Sequence, residues 1–93
     1  MFSVRWPDYF DEQAPLIESK GWFSDVLIER EGQLYRPAFY DPIRLGQEIA
    51  EEMARGAGFF REPNLVVVDR VTRAYMEAAI SALIDNGFNL LPE

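Results

Sequence analysis

The pattern of apolar and polar positions predicts three strands in the first forty residues. Residues 2–6 alternate and Pro7 follows them, which is typical of a half-buried strand that ends at a proline. Residues 22–30 and 33–40 are rich in aromatic and β-branched side chains, and the Glu-Gly pair between them suits a tight turn. We therefore expect a hairpin. Its second strand should lie at a sheet edge or carry a bulge at Pro37, because proline cannot donate a ladder hydrogen bond.

Residues 8–21 follow no clear period. Asp8 is placed to cap a short turn that runs through Gln13, and Pro15 interrupts the helical pattern. Residues 16–20 indicate a second short turn that ends at a glycine. The segment is therefore predicted as two short turns and not as one helix.

The segment that begins at Asp41 and Pro42 predicts an amphipathic helix ending at Gly56. Aspartate accepts backbone hydrogen bonds at a helix N-cap, and proline suits the first helical position, where its missing N–H would have been unpaired. Charged residues occupy one side of the helical wheel, and the opposite arc is apolar or small. This arc consists of Leu45, Gly46, Ile49, Ala50 and Met53.

A second strand and helix follow in the last third of the chain. Residues 65–71 are apolar except for Asp69 and Arg70, which is expected of a strand buried on both faces or nearly so. Thr72 is placed to cap a helix over residues 73–86. Gly87 then suits the left-handed position after that helix, with Phe88 folding back onto its last turn.

Assembled in chain order, these elements predict one α+β domain spanning residues 1–93, with the order (β)-β-β-α-β-α. A crossover through the first helix should be right-handed and make the residue 33–40 and 65–71 strands parallel. With Pro37 at an edge, the 22–30 strand would lie between them. We expect a small mixed sheet of three or four strands with two helices on one face.

Composition excludes several classes of chemistry. The chain has no Cys and no His, so disulfide frameworks, thiolate zinc sites, Cys or Ser–His catalysis and haem ligation by His are ruled out. The net charge of −7 argues against nucleic acid as a partner, since phosphate contacts need clustered Lys and Arg. No apolar run approaches the length of a membrane span, and no secretory signal is visible, so we expect a cytoplasmic chain without a membrane partner.

The acidic and glycine-rich segments do not form a recognisable catalytic motif. Glu48 and Glu52 are one helical turn apart but on the solvent face, where a hard cation would bind weakly without further oxygen ligands. The glycines of residues 56–58 follow a helix and lack the lysine of a phosphate loop. Asp69 and Arg70 follow three valines, so one of them should face covered surface, where a buried charge needs a partner. We expect a paired or edge-exposed residue near the strand end; the alternative is a ligand site at Asp69, at the carboxyl end of a parallel strand. We expect no cofactor and no bound metal.

The chain contains thirteen aromatic residues, four Tyr, two Trp and seven Phe, which is many for so small a core. Most should be structural, but aromatic side chains and Arg also dominate binding hot spots. The residues that we expect at a partner interface are Trp6, Tyr9, Phe10, Phe59, Phe60 and Arg61. For the adjacent pair Phe59 and Phe60, a role in closing the end of the core remains open.

Three hypotheses about function follow. The preferred one is a non-enzymatic, small acidic protein-interaction domain that binds a basic protein partner, in the manner of an inhibitor or immunity-type protein, and that also forms a homodimer. The second is a small-molecule-binding or enzymatic α+β domain with a pocket between sheet and helices. Its candidate residues are Tyr35, Arg36, Asp69 and Tyr75. The third is a structural subunit of a larger assembly.

Overall fold

Six short strands and three helices make up the chain, and the computed structural model describes all 93 residues. In chain order the elements are β1 (Phe2–Arg5), α1 (Phe10–Lys20), β2 (Trp22–Phe23), β3 (Leu27–Arg30), β4 (Gln33–Tyr35), β5 (Ala38–Tyr40), α2 (Pro42–Ala54), β6 (Leu65–Val67) and α3 (Arg73–Asp85). The predicted α+β class is confirmed, and the predicted order is matched except for the additional helix α1 and the division of both hairpin strands. None of the helices is long and apolar enough to cross a membrane.

The predicted hairpin turns at Glu31 and Gly32. β3 and β4 pair antiparallel, with Arg30 opposite Gln33, so that the turn has only two residues. Both turn residues have positive φ, 51° for Glu31 and 81° for Gly32. Such a turn has a backbone twist that matches the right-handed twist of the strands, and this is why a Glu-Gly pair was a useful signal.

Division of the hairpin strands produces two three-stranded sheets. Sheet 1 has the order β1-β3-β4 and is antiparallel throughout. Sheet 2 has the order β2-β5-β6, with β5 antiparallel to β2 and parallel to β6. The mixed sheet and the parallel crossover are therefore confirmed, but β5 and not the 22–30 strand is central. Pro37 lies in the gap between β4 and β5, where its missing N–H costs no ladder bond and leaves β5 free to pair on both sides.

A single hydrophobic core lies between the sheets and the helices α1 and α3. Ile28 of sheet 1, Phe39 of sheet 2 and Met76 of α3 have no exposed surface. Val26, in the gap between β2 and β3, is also fully buried and links the two sheets. The buried cluster consists of Phe10, Ile17, Phe23, Val26, Ile28, Phe39, Val68, Val71, Met76, Ile80 and Phe88.

Helix α1 is continuous, which corrects the prediction of two short turns. Phe10, Ala14 and Ile17 are spaced by four and three residues, lie on one face and pack against the core. The helix has no side-chain N-cap and carries Pro15 on its exposed side. Burial of Phe10 and Ile17 is worth about 2 kcal/mol each, which offsets the roughly 3 kcal/mol cost of an internal proline. Tertiary packing therefore overrides the local signal.

The predicted ends of the other two helices are confirmed. Asp41 Oδ1 accepts a hydrogen bond of 2.7 Å from the first turn of α2, and Thr72 Oγ1 accepts one of 3.4 Å from the first turn of α3. At the end of α3, Gly87 has a φ of 93° and the Phe88 N–H donates to the Leu83 carbonyl at 2.8 Å. This is the predicted left-handed ending, and it returns Phe88 to the core.

Helix α2 lies on the opposite face of sheet 2 from α3, so the expectation of both crossover helices on one face is corrected. Phe39 and Val66 face the core, and Val66 lies beside α3. Tyr40 is the next residue of β5, points to the other face and shares a cleft with Glu48 of α2. The two helices that share the core face are α1 and α3, since both contribute residues to the buried cluster. No residue of α2 is fully buried.

Strand β6 is at the edge of sheet 2, and the prediction that residues 65–71 are buried on both faces is wrong for most of them. Only Val68 and Val71 are buried. Asp69 and Arg70 are both exposed, so neither is the buried charge that the apolar run suggested. An edge strand has one neighbour, and its outward face stays open even when its composition resembles that of a central strand.

Gly21 lies where α1, β2, β5 and α2 meet. It ends α1 with a φ of 72°, and its carbonyl accepts a hydrogen bond of 2.9 Å from the Asp41 N–H, just before α2. A Cβ at this position would lie 2.5 Å from Asp41 Oδ2 and 2.9 Å from the Arg44 Cβ. Only glycine therefore fits both the backbone conformation and the space.

Gly21→Ala is expected to destabilise the fold by about 2–4 kcal/mol, because it adds a clash to the strain of positive φ. Gly32→Ala is the matched control, since Gly32 has a φ of 81° and nothing within 4 Å of an added Cβ. It should cost only about 1 kcal/mol. Urea unfolding of the two variants measures the difference. An equal loss of unfolding free energy in both would show that the close approach at Gly21 does not contribute to stability.

Candidate functional site

A groove between α1 and β2 is lined by three exposed aromatic and aliphatic side chains, more than any other cleft. Its volume is about 280 Å³. We call it the α1–β2 groove. It is lined by Tyr9, Gln13, Leu16, Ile17, Lys20, Trp22, Phe23, Ser24 and Asp25.

Three lining residues protrude into solvent because of their positions in the fold. Tyr9 precedes α1, Leu16 lies on the outward side of α1, and Trp22 begins β2 directly after the turn at Gly21. Their exposed fractions are 42% for Tyr9, 50% for Leu16 and 39% for Trp22. Each side chain is thus partly fixed by the fold and partly free to contact another molecule.

Packed aromatic rings form the base of the groove. Phe23 is buried, and its ring centroid lies 6.4 Å from that of Tyr9 and 5.3 Å from that of Phe10, both edge to face. Trp6 packs edge to face on Phe10 with centroids 5.0 Å apart. Such ring pairs add about 0.5–1.5 kcal/mol each beyond the area they bury. The base of the groove is therefore held in place before any partner arrives.

One polar network fixes the rim beside Tyr9. The Tyr9 hydroxyl donates to the Asp25 carboxylate, and the Arg36 guanidinium lies 3.6 Å from the same carboxylate. Arg36 also donates to the Ser24 carbonyl at 3.3 Å and to Glu93 at 2.6 Å. The hydrogen bond to Asp25, with some desolvation, raises the pKa of Tyr9 to about 12. Tyr9 is therefore a neutral hydrogen-bond donor at ordinary pH.

The segment that forms the groove is the acidic part of the chain. Residues 8–25 contain five carboxylates and one Lys, a net −4 of the total −7. Lys20 lines the groove, and the only ion pair from this segment to α3 joins Asp11 to Arg73 at 3.7 Å. Of the charged residues of this segment only Lys20 and Asp25 line the groove, and Asp25 is paired with Arg36, so the excess negative charge lies on carboxylates outside the lining.

The structure divides the predicted N-terminal partner residues among different roles. Tyr9 lines the groove, as a partner residue would. Phe10 is only 3% exposed and belongs to the core, so it is not part of the contact surface. Trp6 is half-buried, and its ring lies under the Arg73 guanidinium at 4.7 Å from ring centroid to Cζ. The groove residues Leu16 and Trp22 were not predicted, since Leu16 was assigned to a turn and Trp22 only to a strand.

The other predicted partner residues lie in a second cleft, which we call the Tyr40 cleft. Its volume is about 250 Å³. Gly56 and Gly58, with φ of 84° and 79°, reverse the chain after α2 and bring the following loop over Tyr40. The Phe59 side chain is 62% exposed, whereas Phe60 is half-buried. The cleft is lined by Tyr40, Glu48, Glu52, Ala57, Phe59, Phe60, Arg61 and Glu62.

Charges in the Tyr40 cleft are balanced. Glu48 pairs with Arg44 at 2.8 Å, and Glu52 pairs with Arg55. Arg61 lines the cleft beside the two glutamates. Three carboxylates are thus matched by three guanidinium groups, counting Glu62. With these ion pairs counted, the Tyr40 cleft carries no net charge.

The candidate ligand residues are not brought together. Tyr35 packs edge to face on Phe88 with centroids 4.8 Å apart, and Arg36 belongs to the rim network described above. Asp69 lines a shallow depression near the start of α2, and Tyr75 is exposed on α3. No cleft is lined by two of these four residues. Nor do any three carboxylates approach closely enough to hold a metal ion.

Comparisons with protein-family models, curated proteins and solved structures find no match.

Tyr40 gives a pH dependence that tests the Tyr40 cleft. The hydroxyl of this buried residue donates to Glu62 Oε1 at 2.8 Å, and desolvation followed by this hydrogen bond raises the pKa of Tyr40 to about 12. Because the neutral phenol is favoured in the folded state, its stabilisation is complete below pH 10 and is lost as the pH rises toward 12. The free energy of unfolding should fall over this range by about 1–2 kcal/mol more in the wild type than in Tyr40→Phe.

Tyr75→Phe is the matched control, because Tyr75 is 46% exposed on α3. It should leave the wild-type pH dependence intact. Urea unfolding at a series of pH values makes the comparison. A Tyr40→Phe curve that runs parallel to the wild type would contradict the assigned hydrogen bond.

Proposed function

We propose that this chain is a non-enzymatic protein-interaction domain that binds a basic protein partner through the α1–β2 groove. The observation that carries the proposal is the placement of three exposed anchors, Tyr9, Leu16 and Trp22, on the segment that holds a net −4. Apolar protrusions alone would fit many partners, and acidity alone is common. Their combination favours a partner with an apolar side chain inside a basic surface.

Apolar contact would supply most of the affinity. Tyr and Trp are the residue types most enriched at binding hot spots, and each covers a large area with few rotatable bonds. The packing of Tyr9 on Phe23 and the attachment of Trp22 to β5 limit the conformational entropy that binding would remove. The groove is thus preorganised for docking.

Charge would increase the rate of association and the selectivity for basic partners. A net −4 over residues 8–25 attracts a basic partner and repels acidic ones, an effect that weakens as salt rises. Binding in this way would cover the basic surface of the partner, as an acidic inhibitor or immunity-type protein does.

Selection from a random peptide display library tests this proposal directly. Peptides retained by the wild type but not by Leu16→Ala should carry an apolar anchor and a net positive charge. Truncating an exposed anchor typically weakens binding by about tenfold. Binding should also weaken when the salt concentration is raised from about 0.05 M to 0.5 M, since the Debye length shortens.

Leu91→Ala is the matched control, because Leu91 is an exposed leucine outside the groove. It should retain the selected peptides with wild-type affinity. Enrichment of acidic or uncharged peptides, or equal loss of binding in the Leu16 and Leu91 variants, would refute the proposal.

A further inference from the structure

Sheet 2 has a free edge on the side away from the α1–β2 groove. Its order is β2-β5-β6, so β2 borders the groove and β6 forms the opposite edge. The Asn64 carbonyl accepts from Ala38 N–H at 2.9 Å, and Val68 N–H donates to the Tyr40 carbonyl at 2.9 Å. In a parallel ladder the backbone N–H and C=O groups of the even-numbered residues of β6 therefore point toward β5. The N–H and C=O groups of Leu65 and Val67 point outward.

We propose that a second copy of this chain pairs with β6, antiparallel and about a two-fold axis at Val66, to join the two copies of sheet 2 into one six-stranded sheet. In this register Leu65 of each copy lies opposite Val67 of the other. All four outward groups of each edge then form hydrogen bonds, because the two residues of such a pair exchange both bonds. A register shifted by two residues would place Leu65 or Val67 opposite itself and leave part of the edge unpaired within the strand.

Apolar surface on both faces of the edge fits this occupant. Leu65 is 36% exposed and Val67 is 49% exposed, and in the proposed register each would cover the other across the two-fold axis. On the core face, Val66 borders an open cleft of about 360 Å³. That cleft is lined by Val66, Ala79, Ala82, Leu83, Asn86 and Asn89. Val66 of the second copy would lie against this mostly apolar surface.

Charge also favours a second copy at this edge. The chain as a whole carries −7 and would repel itself over most of its surface. The edge is an exception, because Arg61 and Glu62 precede β6 and Asp69 and Arg70 follow it, giving residues 61–70 no net charge. In the antiparallel arrangement the segment after β6 lies toward the segment before β6 of the other copy. Each end can therefore place a carboxylate near a guanidinium group.

The outer edges of sheet 1 do not offer the same combination. β4 is approached by the C-terminal segment, where Glu93 N–H donates to the Leu34 carbonyl at 2.8 Å. β1 carries an arginine and a serine on one face, and Arg5 forms an ion pair with Glu29 of β3. Charged side chains at an edge discourage pairing with another strand.

Val67→Lys tests the interface by placing a charge in the paired edge, opposite Leu65 of the other copy. The wild type should be a dimer by sedimentation, and its mass should fall on dilution from about 1 mM to about 1 μM. The variant should dissociate about 100-fold more readily, since each dimer carries two changes that each cost about tenfold. Val67 is exposed in the monomer, so circular dichroism should show that the fold is retained.

Val4→Lys is the matched control, because Val4 is an edge-strand valine of sheet 1 that is 37% exposed. It should leave the dimer intact. Amide hydrogen exchange gives a second readout that does not depend on a variant: exchange at Leu65 and Val67 should slow as protein concentration rises. A wild type that stays monomeric at 1 mM, or equal dissociation of the Val67 and Val4 variants, would overturn the proposal.

The outcome does not depend on the proposed function. Leu16→Ala removes an anchor of the groove and should leave the dimer unchanged, whereas Val67→Lys should leave peptide binding by each monomer unchanged. Failure of one proposal is therefore distinguishable from failure of the other.

Discussion

The close approach of Gly21 to Asp41 is the constraint on which most of the structure depends. At this point α1 ends, β2 begins, β5 ends and α2 begins, and the Asp41 N–H donates to the Gly21 carbonyl at 2.9 Å. The contact places Trp22 opposite Tyr40, and so sets the register of β2 against the central strand of sheet 2. It also fixes the direction in which α1 leaves the sheet. Because α1 and β2 form the two walls of the groove, the shape of the groove depends on this one junction.

The junction also explains why a weak helix is stable. α1 lacks a side-chain cap and contains Pro15, so its own sequence does not favour it. Its end is held at Gly21, and its inward residues Phe10 and Ile17 are buried in the core. The outward side of α1 makes no core contacts, and it carries Leu16 on the flank that faces the groove, whereas Asp11 and Glu18 lie on the other flank. Structure and proposed binding thus use opposite sides of the same helix.

The sequence predicted those parts of the fold that short-range chemistry determines. Asp41 and Thr72 act as helix caps, and Glu31-Gly32 forms the hairpin turn, because each depends on residues only a few positions away. α1 and the division into two sheets depend on contacts between distant residues, and no local period shows them. For the same reason only Tyr9 of the three groove anchors was predicted. Leu16 and Trp22 belong to the site only because Gly21 turns the chain between them.

The two proposed surfaces lie at opposite edges of one three-stranded sheet, and this has a consequence for binding. Pairing through β6 would leave both grooves at the outer ends of a six-stranded sheet, with neither blocked by the other copy. A partner that presents two basic sites at a matching separation would then bind both grooves at once. The second contact would be intramolecular, so avidity could exceed the affinity of one groove by about 10²–10⁴ without any new contact. Dimerisation would in this way increase the affinity of binding through a groove that has a volume of only about 280 Å³.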